Sequence, residues 1–343
     1  MSTSLDTPAS RVLRLLAAAE GPLSGETAAK RLKLSRTAVW KQIEALRGYG
    51  YMIAAHGRNG YRLTGVPNAA VPTEVMPRLR TRTFGHAYHY LASPPSTNAV
   101  LSRLAARGAP EGTVVVSERQ EAGRGRMSRG WFSPPDTGLY FSLLLRPTVE
   151  VARVTSLPLV IGLAVADALA PYLPAGEPRV KWPNDIWIGG RKACGILCEL
   201  QAEIDGVHYV VAGIGINVNL EARALPAELR SIATSLKMAA GVTVQRAELL
   251  AALLDHLERG YATWQRQGLA PFLERYRDRD ALFGRSITVE RAAGALSGTA
   301  DGVNPDGSLR LRLPDGCIES IYSGDAHIMA FNAGRRAGRR GSA

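Results

Sequence analysis

The sequence predicts an α+β protein built from several domains. Three observations carry that reading: a length of 343 residues, which exceeds what one core ordinarily holds; a change of element type along the chain; and an uneven charge. Helix signals fill residues 8–48, strands and helices mix through 83–283, and short strands separated by turn residues follow from 284. Net charge is +12; residues 1–66 supply six of it (ten Lys/Arg against four Asp/Glu), and Arg335, Arg336, Arg339 and Arg340 supply four. A basic head on a nearly neutral body points to nucleic-acid contact at the head. Apolar residues make up 46% of the chain, enough for extended cores. Cys194, Cys198 and Cys317 form an odd, sparse set without zinc-type spacing, as expected of a reduced, cytoplasmic protein. The most apolar window, Leu157 to Leu173, is broken by Pro158, Asp167 and Pro171; it reads as a buried helix, and no membrane contact is expected. No basic segment followed by an apolar core opens the chain, so no signal peptide is expected.

In the head (8–66), Val12, Leu13, Leu15 and Leu16 give a first helix ending before Gly21-Pro22, and Ser24 opens a second through Lys33. Ser35 is a natural N-cap for a third helix reaching Gly48, because its hydroxyl can accept a backbone N–H that a helix start leaves free. Val39, Ile43 and Leu46 fall at i, i+4 and i+7 as the buried stripe, which turns Arg36, Thr37, Trp40 and Lys41 outward. A short helix, a tight turn and a helix with a polar N-terminal half make a helix-turn-helix suited to the DNA major groove. Tyr51–Ala55 and Gly57–Leu63 read as a hairpin with a Gly-rich tip. The head is therefore a winged helix-turn-helix, with Ser35, Arg36, Thr37, Lys41 and Arg58 as DNA-contact candidates. A three-helix bundle used for protein contacts is the alternative, and the head's surplus of positive charge argues against it.

Residues 67–82, with Pro67, Pro72 and Pro77, read as a linker or lead-in helix of little structural commitment. The central mixed α/β domain (83–283) starts with a strand near Ala87–Leu91, then Ser93-Pro-Pro-Ser-Thr-Asn98 and a helix Ala99–Arg107. Ser96, Thr97 and Asn98 can cap that helix or offer neutral donors and acceptors to a pocket rim. Strand Thr113–Ser117 leads into Gln120–Trp131, where three glycines and three arginines occupy residues 123–131. The glycines let backbone approach a ligand, and the arginine forks suit carboxylate or phosphate oxygens. Such a loop should not order itself, since like charges repel and glycine is entropically costly to fix; an anionic ligand could order it. A solvated surface loop or a weak RNA-binding segment fits the same residues.

The apolar strand Leu139–Leu145 and the helix Pro158–Leu173 follow. In Arg179–Ile188, Lys181, Asn184 and Asp185 are polar groups between strand-like runs, with Pro183 fixing the turn. Arg191-Lys192 and strands Ala193–Leu200 and Tyr209–Asn219 come next, the last with glycines and Asn217 where a flat group could reach the backbone. Residues 240–283 read as helical, with Leu249, Leu250, Leu253, Leu254, Leu257 and Tyr261 on one stripe. From Gly284, Ser286–Val289, Ser297–Gly302, Leu309–Leu313 and Cys317–Tyr322 are short strands, separated by turns such as Pro305-Asp-Gly307 and Pro314-Asp-Gly316. Residues 332–343 read as a disordered basic tail.

Ser96-Thr-Asn98, Gly123-Arg-Gly-Arg126, Lys181-Trp-Pro-Asn-Asp185, Arg191-Lys192 and Gly213-Ile-Gly-Ile-Asn217, in this order, resemble the biotin–protein ligases. With a winged helix in front, the chain is most similar to the bifunctional bacterial form, ligase and biotin-operon repressor in one chain, over roughly residues 10–330. The resemblance implies a class II synthetase-like ligase fold for the central domain and a small SH3-like β-barrel for residues 284–331. It implies an ATP-dependent, AMP-forming biotin–[acetyl-CoA-carboxylase] ligase. Biotin's carboxylate attacks the ATP α-phosphate to give biotinyl-5′-AMP and pyrophosphate, and a lysine of biotin carboxyl carrier protein then takes the biotin. The first step needs no general base but brings two anions together; at about 4 Å and an effective dielectric of about 20 their repulsion approaches ~4 kcal/mol, which fixed cations answer.

The same resemblance assigns Ser96, Thr97, Asn98, Gln120, Arg124, Gly125, Arg126 and Lys192 to biotin, and Arg126, Lys181, Asn184 and Asn217 to ATP. Lys192, Arg126, Arg124 and Asp185 are then the catalytic set, with Asp185 a Mg²⁺ ligand or the base for the incoming amine, and Mg²⁺ arriving on the ATP phosphates. It further implies biotinyl-5′-AMP as corepressor, a ligand-promoted homodimer and an inverted-repeat operator. Two departures stand out. Met127-Ser128 occupies the place where the family's loop continues Arg-Gly, and Asp325 stands where the barrel more often carries Glu, with little consequence expected. The alternatives are a lipoate ligase, a transcription factor whose ligase body only senses biotin, and a ligase whose head no longer represses. The paired GRGR and KWPND runs argue against the first and the complete Arg/Lys set against the second; sequence leaves the third open.

Overall fold

The computed structural model describes residues 7–173, 177–203 and 206–329; the expected basic tail lies outside them. Three helices make the head: α1 Pro8–Ala17, α2 Gly25–Leu32 and α3 Arg36–Gly48. Thr7, Ser24 and Ser35 each accept the backbone N–H three residues on, satisfying a donor the first helical turn leaves free. Val39, Ile43 and Leu46 are buried, as their spacing requires, in one core with Val12, Leu16 and Ala28. Strands β1 (Met52–Ala55) and β2 (Tyr61–Gly65) pair antiparallel around a short 3-10 turn at Gly57–Asn59, so the expected wing is present.

Residues 67–82 carry more structure than expected. Ala69 and Val71 pack into the head's core, while Ala70 and Val75 belong to the body's. Pro72–Val75 forms one helical turn, Tyr51 Oη donates to Glu74 Oε1 at 2.6 Å, and Tyr88 Oη donates to Ala70 O at 2.6 Å. The apolar alternation that does this is only a few residues long, too short to register as periodicity.

The body is a seven-stranded sheet of β3 (Tyr88–Leu91), β4 (Val114–Ser117), β5 (Gly138–Leu145), β6 (Arg179–Lys181), β7 (Asp185–Ile188), β8 (Arg191–Glu203) and β9 (Gly206–Asn217). Their spatial order is β3-β4-β5-β9-β8-β7-β6, parallel only between β3 and β4. Side chains alternate faces along each strand. Val114 and Val116 therefore join the main core with the helices Leu157–Leu169 and Arg246–Gln267, while Val115 joins a smaller one under the helix Thr97–Ala106. The stripe expected on residues 249–261 is buried in full. The run Val151–Tyr172 is apolar and long enough to cross a membrane by length and composition, but most of it is buried in the body's core.

A five-stranded antiparallel sheet closes the chain: β10 (Ser286–Arg291), β11 (Gly294–Val303), β12 (Leu309–Arg312), β13 (Ile318–Ile321) and β14 (Asp325–Ile328), in the order β13-β12-β11-β10-β14. The first four strands are legible in the sequence and the fifth is not. Ile287, Val289, Leu309, Leu311 and Ala326 continue the body's core without a break. At the seam, Gly307 has φ 88° and a Cβ there would lie 2.8 Å from Ser156 Cα, while Trp182 Nε1 donates to Gly307 O at 3.1 Å.

Candidate active site

A cavity of about 680 Å³ opens between the central and C-terminal sheets. All the expected biotin, ATP and catalytic candidates line it, from Ser96, Thr97 and Asn98 through Gln120, Arg124, Gly125 and Arg126 to Lys181, Asn184, Asp185, Lys192 and Asn217. The sheet does the gathering. Asp185 on β7 pairs with Gly195 on β8, Gly195 with Gly215 on β9, and Asn217 with Gly138 on β5, so residues far apart in sequence fall on one surface.

At one end the wall is neutral and buried. Ser96 occupies the N-cap position of the helix Thr97–Ala106 but makes no side-chain cap bond; Gln120 Oε1 accepts the Thr97 N–H at 2.9 Å instead. The capping role open in the sequence is thus not the one Ser96 plays. Ser142 Oγ lies 2.7 Å from Thr97 Oγ1 and 2.5 Å from Asn98 Oδ1, and Asn98 Nδ2 donates to Glu199 Oε2 at 2.7 Å. Gly213 faces Ser142 across the strands, and a Cβ there would collide with Asn98. The glycines expected to admit a flat ligand therefore serve the protein's own side chains. A Cβ at Gly195 or Gly215 would run into the Trp131 indole, whose Nε1 is buried without a hydrogen-bond partner.

The other end is charged. Lys192 Nζ is 2.7 Å from Asp185 Oδ1, an ion pair without hydrogen-bond alignment, and 5.3 Å above the Trp131 ring. Lys181 Nζ is 3.5 Å from Asp325 Oδ1 and 5.2 Å above the Trp187 ring. Arg126 Nη1 donates to Asn184 Oδ1 at 3.4 Å and to Gly324 O at 3.3 Å, while Arg129 Nη1 meets Asp325 Oδ2 at 2.6 Å. Burial draws the Arg126 pKa below its ordinary value against the pull of Asp325 and Asp185, yet a guanidinium stays charged at any physiological pH. Burial also pushes the Asp325 carboxyl up, but the Arg129 bond and nearby Lys181 outweigh it and leave Asp325 below the usual carboxylate range. Asn184 Nδ2 donates to Ile196 O at 2.6 Å and Asn217 Nδ2 to Thr234 O at 2.9 Å, which fixes both amides.

The arginine loop is folded as a small hairpin. Gly125 N donates to Arg129 O at 2.7 Å and Trp131 N to Gly123 O at 2.9 Å, and Asp325 balances one of its charges. Arg124 is exposed at the rim. Met127 and Ser128 hold φ of 54° and 58°, left-handed conformations that ordinary side chains resist by about 1 kcal/mol or more each. Ser128 thus adopts a conformation that glycine takes without a Cβ penalty. Among the described residues no group of three or more His, Cys, Asp or Glu is placed to hold a metal ion, and Asp185 already faces Lys192. A metal here would take most of its ligands from water and phosphate, as Mg²⁺ commonly does.

Trp131, Trp187, Arg129, Ser142 and Asp325 line or brace this wall without having been singled out as site residues. Trp131 and Arg129 carried a signal by lying in the Gly/Arg run, and Asp325 as a departure for which little consequence was expected; its pairing with Arg129 and Lys181 corrects that expectation. In the head, Ser35, Arg36, Thr37, Trp40 and Lys41 are all exposed on α3, with Ser35 Oγ also accepting the Ala38 N–H at 3.0 Å; Arg58 lies in the turn at the wing tip.

Comparison with known proteins matches three stretches: the biotin/lipoate A/B protein ligase family over residues 90–217, an HTH domain over 9–62, and the biotin protein ligase C terminal domain over 282–328. The bifunctional ligase/repressor BirA of Bacillus subtilis (strain 168) is 39% identical over 307 residues, 89% of this chain and 94% of the relative. Its counterpart from Escherichia coli (strain K12) is 31% identical over 306 residues, 89% and 92% of the two chains. Among solved structures, the biotin protein ligase from Aquifex aeolicus in complex with biotin and ATP matches with a TM-score of 0.61 at 30% identity, over 71% of this chain and 98% of that one.

Proposed function

This chain belongs to the biotin/lipoate A/B protein ligase family, and on that footing we propose that it is a biotin–protein ligase and biotin-responsive repressor. The observation that carries the ligase reading is the convergence of Arg126, Lys181 and Lys192 with the neutral Ser96–Asn98 wall on one cavity. The neutral end takes the uncharged ureido head of biotin through Ser96, Thr97, Asn98 and Gln120. The charged end takes the carboxylate and the ATP phosphates, with Asn184 and Asn217 toward adenine.

Lys192 releases Asp185 for the biotin carboxylate and, with Arg126 and Arg124, lowers the repulsion as that carboxylate attacks the α-phosphate. A C–O–P anhydride forms and pyrophosphate leaves. Trp131 keeps water from the anhydride by covering the glycine floor. The carrier's lysine amine then attacks the biotinyl carbonyl; the N–C bond forms, AMP departs, and Asp185, no longer bound to Lys192, takes the amine proton. Mg²⁺ bound to the ATP phosphates would supply charge neutralisation there, and Asp185 is the carboxylate that would hold it from the protein side.

The chain divides into a winged head at 8–66, a linker at 67–82, a class II synthetase-like catalytic domain at 83–283 and an SH3-like unit at 284–331. In the repressor, biotinyl-5′-AMP is the corepressor. It promotes a homodimer whose two α3 helices, through Ser35, Arg36, Thr37 and Lys41, and whose wing tips, through Arg58, meet an inverted-repeat operator in the cytoplasm. Incubating the full chain with biotin, Mg-ATP and a biotin carboxyl carrier domain tests the ligase: the carrier gains one biotinyl mass and pyrophosphate accumulates. A carrier of unchanged mass with no pyrophosphate released overturns it.

A further inference from the structure

Arg246 is a buried cation, 3% exposed, that does not line the cavity. It opens the helix Arg246–Gln267 and spends its donors in four directions. Its backbone N donates to Asn68 Oδ1 at 2.9 Å, Nε to Asn68 O at 2.6 Å, and Nη1 to Glu118 Oε1 at 2.7 Å and Gly138 O at 3.0 Å. Glu118 immediately follows β4, two residues before Gln120, and Gly138 opens β5. The Glu118 carboxylate also accepts the Asp136 N–H at 2.8 Å on Oε1 and the Tyr90 hydroxyl at 2.8 Å on Oε2. One ion pair therefore grips both stems of the segment that carries Gln120 and the arginine hairpin. From there the contacts leave the catalytic body: the Tyr90 ring meets Tyr49 edge-on, centroids 5.8 Å apart at 88°, and Tyr49 is the C-cap residue of α3. Asn68, on the far side of Arg246, lies in the linker.

We propose that Arg246 is a positioning residue for the arginine loop, and that Glu118 relays the loop's closure through Tyr90 and Tyr49 to helix α3. A carboxylate holding three donors in a low-dielectric setting cannot follow a moving stem without lengthening a bond to the others. Any displacement of either stem on ligand binding thus reaches the tyrosine pair. The proposal rests on the ligase reading, because biotin and ATP are the ligands the loop would meet.

Hydrogen exchange of the full chain, with and without biotin and Mg-ATP, tests the relay. In the wild type both residues 119–137 and residues 45–55 at the end of α3 gain protection. Tyr90→Phe removes one hydroxyl and keeps the ring; it preserves adenylate formation and loop protection but loses the protection at 45–55. Tyr49→Leu, which cuts the same route from the head side, does likewise. For the positioning role, Arg246→Lys raises KM for biotin about ten-fold with kcat within about two-fold, and Glu118→Gln, nearly isosteric, moves KM the same way. Protection at 45–55 that persists in both tyrosine variants, or that is missing in a wild type whose loop is protected, overturns the relay and leaves the ligase standing. An unchanged KM in Glu118→Gln and Arg246→Lys overturns the positioning role. A wild type that forms no biotinyl-5′-AMP overturns the ligase reading and the relay with it.

Discussion

Lys192 and Lys181 stand on one cavity wall and are built alike, each beside one aspartate and beneath or above one tryptophan face. Their partners come from different places. Asp185 and Lys192 lie on neighbouring strands β7 and β8, so their pair is fixed once a single hairpin forms. Asp325 lies on β14, so the Lys181 pair exists only when the C-terminal sheet is seated on the body. Lys181 is also the more buried, with 9% of its side chain exposed against 34% for Lys192. A half-open cation on a local hairpin can trade its aspartate for a substrate anion. A buried one whose counter-ion comes from another sheet works as a tie, and through Asp325 it also steadies Arg129 and the hairpin that carries Arg126.

Removing each cation is the strongest way to break this contrast. Lys192→Ala lowers pyrophosphate release about 100- to 1,000-fold, while thermal unfolding stays near the wild-type midpoint, because a partly exposed pair contributes about 1 kcal/mol or less. Lys181→Ala shows the reverse pattern: about 3 kcal/mol of stability lost in denaturant titration, with adenylation at saturating ATP falling less than about ten-fold. If the two variants lose chemistry equally, the distinction between trading cation and tie fails.

Asp280 sharpens the picture at the seam itself. It is 3% exposed, and burial holds its pKa up at about 6 despite the N–H groups of Leu282 and Phe283 and the charge of Arg179. An unfolded aspartate titrates near 4, so the folded chain keeps this proton longer, and stability falls as pH rises from about 4 to about 6. Asp280→Asn retains an oxygen for the Leu282 N–H; it raises stability by about 2 kcal/mol near pH 7 and by little near pH 4, as read by melting in the two buffers. Asp325 has the opposite sign and the smallest effect. Its folded pKa is depressed, so its contribution is present above the ordinary carboxylate range and lost as pH falls below it. Asp325→Asn raises KM for ATP about five-fold at neutral pH, roughly 1 kcal/mol, and leaves acid stability flatter than the wild type's; an unchanged KM would detach the C-terminal sheet from the site.

Legibility in the sequence followed the range of the interactions. Helix α3 was readable because its cap, Ser35, and its stripe, Val39, Ile43 and Leu46, lie within one element. The cavity residues were readable as motifs, since GRGR and KWPND are contiguous. What escaped depends on register between distant segments. Strand β14 is as short as β12 and β13, but its Asp-Ala-His-Ile run holds only one large apolar residue and no β-branched or aromatic pair to mark it, yet it delivers Asp325 to Lys181. Trp131 was visible as a residue but not as the cover over Gly195 and Gly215, because that needs the β8–β9 pairing. Arg246 and Glu118 are 128 positions apart and nothing local marks either.

The strap between head and body has a practical consequence. Ala69 and Val71 are spoken for by one core and Ala70 and Val75 by the other, like teeth of a zip closed from both sides. A gene cut to begin just after the head would strip one row of teeth and present bare apolar surface to water. A truncation just after the head is therefore expected to be less soluble than one in which Ala69 and Val71 are also replaced by polar residues.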